Sequence, residues 1–219
     1  MELVEVAWLI PAFSFVAFLL IALFGKLLPG KGSFLAVLAI AGGFGTFCVV
    51  LVGFFDAGCS KAFGVETCHF AREWFTAGDV ELSWGMIIDP LALLMLGMVT
   101  FVGLLIQVYS LGYMKGDSRF GWYFAVHSLF VASMLTLVLA DNFLLLYIVW
   151  ELVGICSYLL IGFWYEKRSA AEAAKKAFIV TRIGDVGLLV GILLLFREVG
   201  TFDMSIIFQE ADKLVQGEA

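Results

Sequence analysis

Of 219 residues, 63% are hydrophobic and 15% charged, with a mean hydropathy of +1.04, whereas soluble domains average about 45–50% apolar. A water-soluble globule is excluded, and 22 Phe, 6 Trp and 6 Tyr exclude a disordered chain. The net charge of −6 comes from 19 acids and 13 bases, and no nucleic-acid partner is expected.

A helix needs about 20 apolar residues to cross a bilayer, and six such runs are present. The first, Val4 to Phe24, follows Glu2 and Glu5 and lacks the basic flank of a secretory leader, so it reads as a retained span. The second runs from Ser33 to Phe55. Residues 56–86 then form a loop rich in Gly and aromatics, with strand character near Val80 to Ile88. We expect a short external hairpin acting as a structural lid. Cys59 and Cys68 lie in this loop, Cys48 and Cys156 in spans. Cys59 and Cys68 could pair or stay free thiols, because spacing alone does not decide.

The third span covers Ile87 to Tyr109 and the fourth Phe120 to Leu139. His127 in the fourth could bridge two proton sites or simply be hydrogen-bonded. Gln107, Tyr109 and Ser110 could line a water path or be ordinary interfacial residues. The fifth span, Phe143 to Trp164, places Glu151 near mid-depth, and its Gly154, Ser157 and Gly162 read as close helix packing. Ser169 and Glu172 match a capping box that starts a helix ahead of the sixth span, Ala177 to Phe196. Gly200 ends it. Residues 201–219 form a tail in which Met204, Ile207, Phe208, Ala211, Leu214 and Val215 share one face, the pattern of an amphipathic surface helix.

The expected fold is therefore all-α: one polytopic membrane domain, 1–219, of six transmembrane helices. Charge placement orients it. Lys26, Lys31, Lys115, Arg119, Lys167, Arg168, Lys175 and Lys176 sit in the first, third and fifth loops. The opposite loops collect Asp56, Glu66, Glu73, Asp79, Glu81, Asp89, Asp141 and Glu198. By the positive-inside rule the N-terminus lies outside.

Ionisable side chains inside a span are costly and mark function. Glu151 is one; Arg182 and Asp185, three apart on the sixth span, are the others and share a helix face. Residues 175, 178, 182 and 185 recur at near-helical spacing, a polar stripe leading inward. Desolvation favours the protonated form of a buried carboxylate and a nearby cation the ionised form, so a neighbour that moves can load and unload its proton. The alternative is a static acid at Glu151 and an Arg182–Asp185 pair that pins two helices together. No CxxC or CxxCH occurs, so iron–sulfur, zinc and covalent haem sites lack support. His69 and His127 are the only histidines, and His69 is in the loop, so a transmembrane haem lacks its two axial ligands.

The run Trp150-Glu151-Leu152-Val153-Gly154-Ile155-Cys156-Ser157-Tyr158-Leu159-Leu160-Ile161-Gly162-Phe163, followed by Lys176-Ala177-Phe178-Ile179-Val180-Thr181-Arg182-Ile183-Gly184-Asp185-Val186-Gly187, resembles subunit L of bacterial NADH-quinone oxidoreductase, respiratory complex I. Ile88-Asp89-Pro90-Leu91, Gln107-Val108-Tyr109-Ser110, Tyr113-Met114 and Val138-Leu139-Ala140-Asp141-Asn142 extend the likeness, strongest from Ile88 to Phe196. The resemblance implies the N-terminal part of an antiporter-like subunit that moves protons through a membrane arm. It implies no cofactor in this chain, with NADH, FMN, iron–sulfur clusters and quinone handled by partner subunits. Its partners would be the other membrane-arm subunits, the lipid bilayer and protons, in a bacterial inner membrane.

Carried over by motif, the family's fifth-helix glutamate falls on Glu151, its sixth-helix arginine and aspartate on Arg182 and Asp185, and the lysine at that helix's inner end on Lys176. In the family the glutamate pairs with a lysine on a broken seventh helix, and this sequence contains no such helix. His127 matches no family motif but stays a candidate for the proton path. Two alternatives stay open: a subunit of a multisubunit sodium/proton antiporter, and a membrane scaffold that does not transport.

Overall fold

The computed structural model describes residues 2–57, 60–62, 65–77 and 80–216. With no water in the hydrocarbon to satisfy backbone groups, apolar runs of this length fold as helices. Among the described residues six helices are long and apolar enough to cross a membrane. The first span, Leu3–Phe24, joins α1 (Glu2–Glu5) to α2 (Leu9–Phe24) through a 3-10 turn at Val6–Trp8. The others are α3 (Ser33–Ala57), α4 (Pro90–Tyr113), α5 (Phe120–Leu139), α6 (Phe143–Ile161) and α7 (Arg168–Val199). A short α8 (Met204–Gln216) follows.

Helix caps explain where these limits depart from the hydrophobic runs. The third span starts at Pro90, because the Asp89 carboxylate accepts from the Ala92 N–H at 2.6 Å and Pro90 takes the first helical position. Ile87 and Ile88 instead end a strand. In the same way Asn142 caps α6, accepting from the Leu145 N–H at 2.7 Å. The expected capping box is not formed. α7 begins at Arg168, Lys167 makes no side-chain cap, and Glu172 pairs with Arg168 at 2.7 Å, so the sixth span is the inner part of one 32-residue helix. Gly200 does end it, at φ +80 with its N–H on the Phe196 carbonyl.

The all-α expectation needs one correction. Strands β1 (Ser60–Ala62), β2 (Val65–Ala77) and β3 (Val80–Ile88) form an antiparallel sheet in that order. The β2–β3 register pairs Cys68 with Ile88 at one end and Ala77 with Val80 at the other. The sheet is rooted in the bundle rather than laid over it, since Cys68 and Ile88 belong to the same buried cluster as Val4, Ile10, Leu96 and Leu135. Cys68 is disulfide-bonded, Cys48 and Cys156 are free, and Cys59 lies outside the described residues.

Helix α5 is the hub, packed against α2, α3, α4 and α6, with 56% of its apolar window buried. In contrast α7 packs chiefly on α6 and buries 11%, leaving Ile179, Ile183, Val186 and Val190 open. The α4–α5 and α6–α7 turns are tied together. Asp117 accepts from Trp164 Nε1 at 3.0 Å and from the Arg119 N–H at 2.8 Å, and Arg119 reaches Glu166 at 3.1 Å. The Trp164 bond, the Arg119 N–H and the nearby Arg119 and Lys31 charges hold the Asp117 carboxyl below its usual 3.8.

At the other end His69 Nε2 meets Asp141 Oδ2 at 3.1 Å. That bond raises the His69 imidazole above 6.5 against the opposing effect of burial. Helix α8 starts where the tail pattern places it. Met204 and Ile207 are buried and Phe208 sets its ring edge-on to Phe143 at 6.2 Å. The side chains of Ala211, Leu214 and Val215 lie outside the described residues.

Candidate functional site

Glu151 stands about eight residues into α6, which packs against both α5 and α7. The Glu151 carboxylate pairs with the Arg182 guanidinium, which also donates to the Glu151 backbone carbonyl at 3.2 Å. Arg182 Nη1 lies 3.8 Å from Asp185 Oδ2. Trp150 completes the arrangement, its Nε1 donating to Asp185 Oδ1 at 2.9 Å. The guanidinium lies over the Phe178 ring, 4.6 Å from its centroid. A side chain at 154 would press on Arg182 Nη2, so Gly154 makes room for the cation as well as for helix packing.

Two carboxylates thus face one guanidinium in a partly buried setting. Asp185 is 7% exposed, and the Arg182 and Glu151 side chains 25% and 20%. If all three are ionised the trio carries one negative charge too many, and a proton or a second cation balances it. Arg182 Nε is buried and makes no hydrogen bond.

Access to the trio is visible on one side. A cavity of about 190 Å³ borders Trp150, Gly154, Ser157, Tyr158, Phe178 and Asp185. A second, of about 350 Å³, borders Arg119, Tyr158, Ala174 and Lys175 near the α4–α5 and α6–α7 turns. Tyr158 lines both, and its ring contacts Phe178 at 5.3 Å. Lys175 thus borders one cavity and Asp185 the other, with the Tyr158–Phe178 pair between the two.

Lys176 borders neither cavity. Like Lys175 it is exposed, but it lies six residues or ~9 Å of helix rise from Arg182 and about a third of a revolution off that face, whereas Lys175 is nearly in line with it. His127 is also elsewhere. It is buried between α4 and α5, with its Nδ1 3.2 Å from Gln107 Nε2 and its ring stacked on Tyr123; Tyr123 in turn meets Ser110 at 3.0 Å. Gln107 Oε1 and Ser128 Oγ are buried there without hydrogen bonds. The structure therefore brings Glu151, Arg182 and Asp185 together and separates Lys176 and His127 from them. Sequence reasoning missed Trp150 as the partner of Asp185, although it adjoins Glu151. It also missed the His69–Asp141 contact, which joins residues 72 apart and leaves no local signal.

Known proteins resemble this chain in sequence and in fold. Residues 140–218 match the family model described as NADH:quinone oxidoreductase/Mrp antiporter, TM. Residues 74–124 match NADH-Ubiquinone oxidoreductase (complex I), chain 5 N-terminus. F(420)H(2) dehydrogenase subunit L of Methanosarcina mazei is 48% identical over 191 residues, 87% of this chain and 27% of that protein. NAD(P)H-quinone oxidoreductase chain 5 of Synechocystis is 50% identical over 143 residues, 65% of this chain and 21% of that one. This chain thus spans about a quarter of the length of the curated relatives it matches.

A chain of the Mrp complex from Dietzia superposes with TM-score 0.72 at 27% identity, over 92% of this chain and 20% of that one. A chain of an archaeal membrane-bound sulfane sulfur reductase shares the fold at TM-score 0.75 and 16% identity, over 93% of this chain and 39% of that one. The chain belongs to the antiporter-like membrane subunits of the complex I superfamily, the family of NADH:quinone oxidoreductase chain 5 and the Mrp antiporters.

Proposed function

We propose that this chain supplies the N-terminal portion of a proton-translocating membrane-arm subunit, in which Glu151 takes up and releases a proton. The observation that carries the reading is the charge count on α6 and α7: two carboxylates share one guanidinium beside a cavity. A site one positive charge short accepts a proton when a neighbouring cation withdraws and gives it up when that cation returns. Asp185 and Trp150 hold Arg182 in place, and Lys175 and Tyr158 border the approach from the basic turns. Lys176 and His127 take secondary places, Lys176 at the mouth and His127 on the α4–α5 seam.

The rest of the reading follows from the family and from charge placement. Residues 1–219 form one membrane domain, with the N-terminus, the 56–86 segment and the 201–219 tail on the outer side, and the lysine- and arginine-rich turns facing the cytoplasm of a bacterial cell. This chain carries out no redox chemistry. NADH, FMN, iron–sulfur clusters and quinone would be bound by partner subunits of an NADH:quinone oxidoreductase, to which it contributes translocation. The open face of α7 suits contact with further membrane helices.

The 27% identity to a chain of the Mrp complex favours one alternative, a sodium/proton antiporter subunit. Vesicles holding the complete complex separate the two. Acidification of the lumen driven by the electron donor, unchanged when sodium is replaced by choline, is expected. Activity that needs sodium and proceeds without quinone reduction would favour the antiporter.

A further inference from the structure

Three chain segments distant in sequence converge at the end of the bundle where the sheet is rooted. His69 comes from β2, Asp141 from the α5–α6 turn and Asp203 from the α7–α8 turn. One ligand atom from each lies within 4.8 Å of the others. Both carboxylates are held by one oxygen. Asp141 Oδ1 accepts from Asn142 Nδ2 at 2.8 Å, and Asp203 Oδ1 accepts from the N–H groups of Ser205 and Ile206 at 2.8 and 3.2 Å.

The frame around them is fixed by backbone. Asn142 and Asp203 form a bridge, the Met204 N–H donates to the Asp141 carbonyl at 3.0 Å and the Phe143 N–H to the Phe202 carbonyl at 3.0 Å. Gly85 on β3 lies so close that any side chain there would overlap the Asp141 carboxylate and the Phe70 carbonyl.

Charge makes the arrangement unusual. Asp141 is 0% exposed, so its carboxylate is fully withdrawn from solvent. Among the described residues no Lys or Arg pairs with it or with Asp203. With both carboxylates ionised, even an imidazolium would leave the cluster short of positive charge, and burial makes such an excess expensive.

We propose that His69, Asp141 and Asp203 bind one divalent transition-metal ion of the Zn²⁺ type. One imidazole nitrogen and two carboxylate oxygens suit a borderline ion, whereas Ca²⁺ and Mg²⁺ favour sites with more oxygens. Metal–ligand bonds near 2.1 Å put neighbouring ligands of a tetrahedral site ~3.4 Å apart. The His69–Asp141 separation is 3.1 Å, so an ion between these two takes the place of the shared proton, with Asp203 within 4.8 Å of both. Water fills the fourth position. The ion clasps the sheet to both helix turns, including the one that ends α7.

The inference is independent of the transport reading. Its test is calorimetric titration of Zn²⁺ alone onto the full chain in detergent, with thermal unfolding measured in parallel. One equivalent is expected to bind and to raise the unfolding temperature. His69→Ala and Asp203→Asn, at sites open enough to tolerate change, should each weaken binding by more than the roughly 10–100-fold typical of an outer partner. Asn142→Gly should weaken it within that range, and His127→Ala and Cys48→Ser should leave the isotherm unchanged. No binding by the unaltered chain, or an isotherm indifferent to His69→Ala, overturns the proposal.

Discussion

Glu151→Gln in the complete subunit is expected to cut donor-driven acidification of vesicles by roughly tenfold or more, the scale on which a positioned proton-transfer group contributes, while leaving the protein folded and assembled. Both halves follow from the same charge count. Glutamine has nearly the shape of glutamate and can still accept from Arg182, but it cannot carry a transferable proton at neutral pH. Its neutrality also leaves Arg182 facing Asp185 alone, one charge against one, with Trp150 still donating to Asp185 at 2.9 Å. Assembly on a native gel and the unfolding temperature should therefore stay near those of the unaltered protein. Assembly falling in step with pumping would support the scaffold reading instead, in which the trio is a helix staple.

Arg182→Gln is expected to do the reverse and strike the fold. Among the described residues the guanidinium is the one cation paired with both carboxylates, and at an effective dielectric near 20 its attraction to a charge about 4 Å away is worth ~4 kcal/mol before desolvation. Removing it leaves Glu151 and Asp185 side by side on adjoining helices. Breaking a buried pair by taking one partner away typically costs about 3–5 kcal/mol. Because α7 packs on the bundle chiefly through α6, the loss should appear as detachment of α7: a lower unfolding temperature and faster proteolysis at the α6–α7 turn. Arg182→Lys, which restores the charge without the fork, should recover most of the stability. Equal stability of the glutamine and unaltered proteins would show that the charges do not hold the helices together.

The spans were legible because each is a continuous apolar run of bilayer length; Phe120–Leu139 falls where the hydrophobicity puts it. Ends were less legible wherever a cap overrides hydrophobicity. Ile87 and Ile88 are as apolar as the residues after them, yet Asp89 and Pro90 start the helix later. Ser169 and Glu172 had the spacing of a cap, and a stronger partner, Arg168, took the glutamate.

The site was half legible. Glu151, Arg182 and Asp185 stand out as charges within lipid-length runs, and the i,i+3 spacing of the last two brings them together. That Glu151 meets Arg182 depends on how α6 lies against α7, which no local pattern encodes. Lys176 was suggested by its motif position, but helical geometry turns it away and favours Lys175. The sheet's attachment through His69 and Asp141 is a long-range contact between two polar residues, invisible to any reading of periodicity.

The protonation change of Glu151 can be observed directly. Infrared difference spectra of the complete complex, resting against turning over, should contain a protonated-carboxyl band that disappears in Glu151→Gln and shifts in Arg182→Lys. A spectrum in which Glu151→Gln matches the unaltered protein would mean that this carboxylate keeps one charge state throughout the cycle, and would contradict the account at its root.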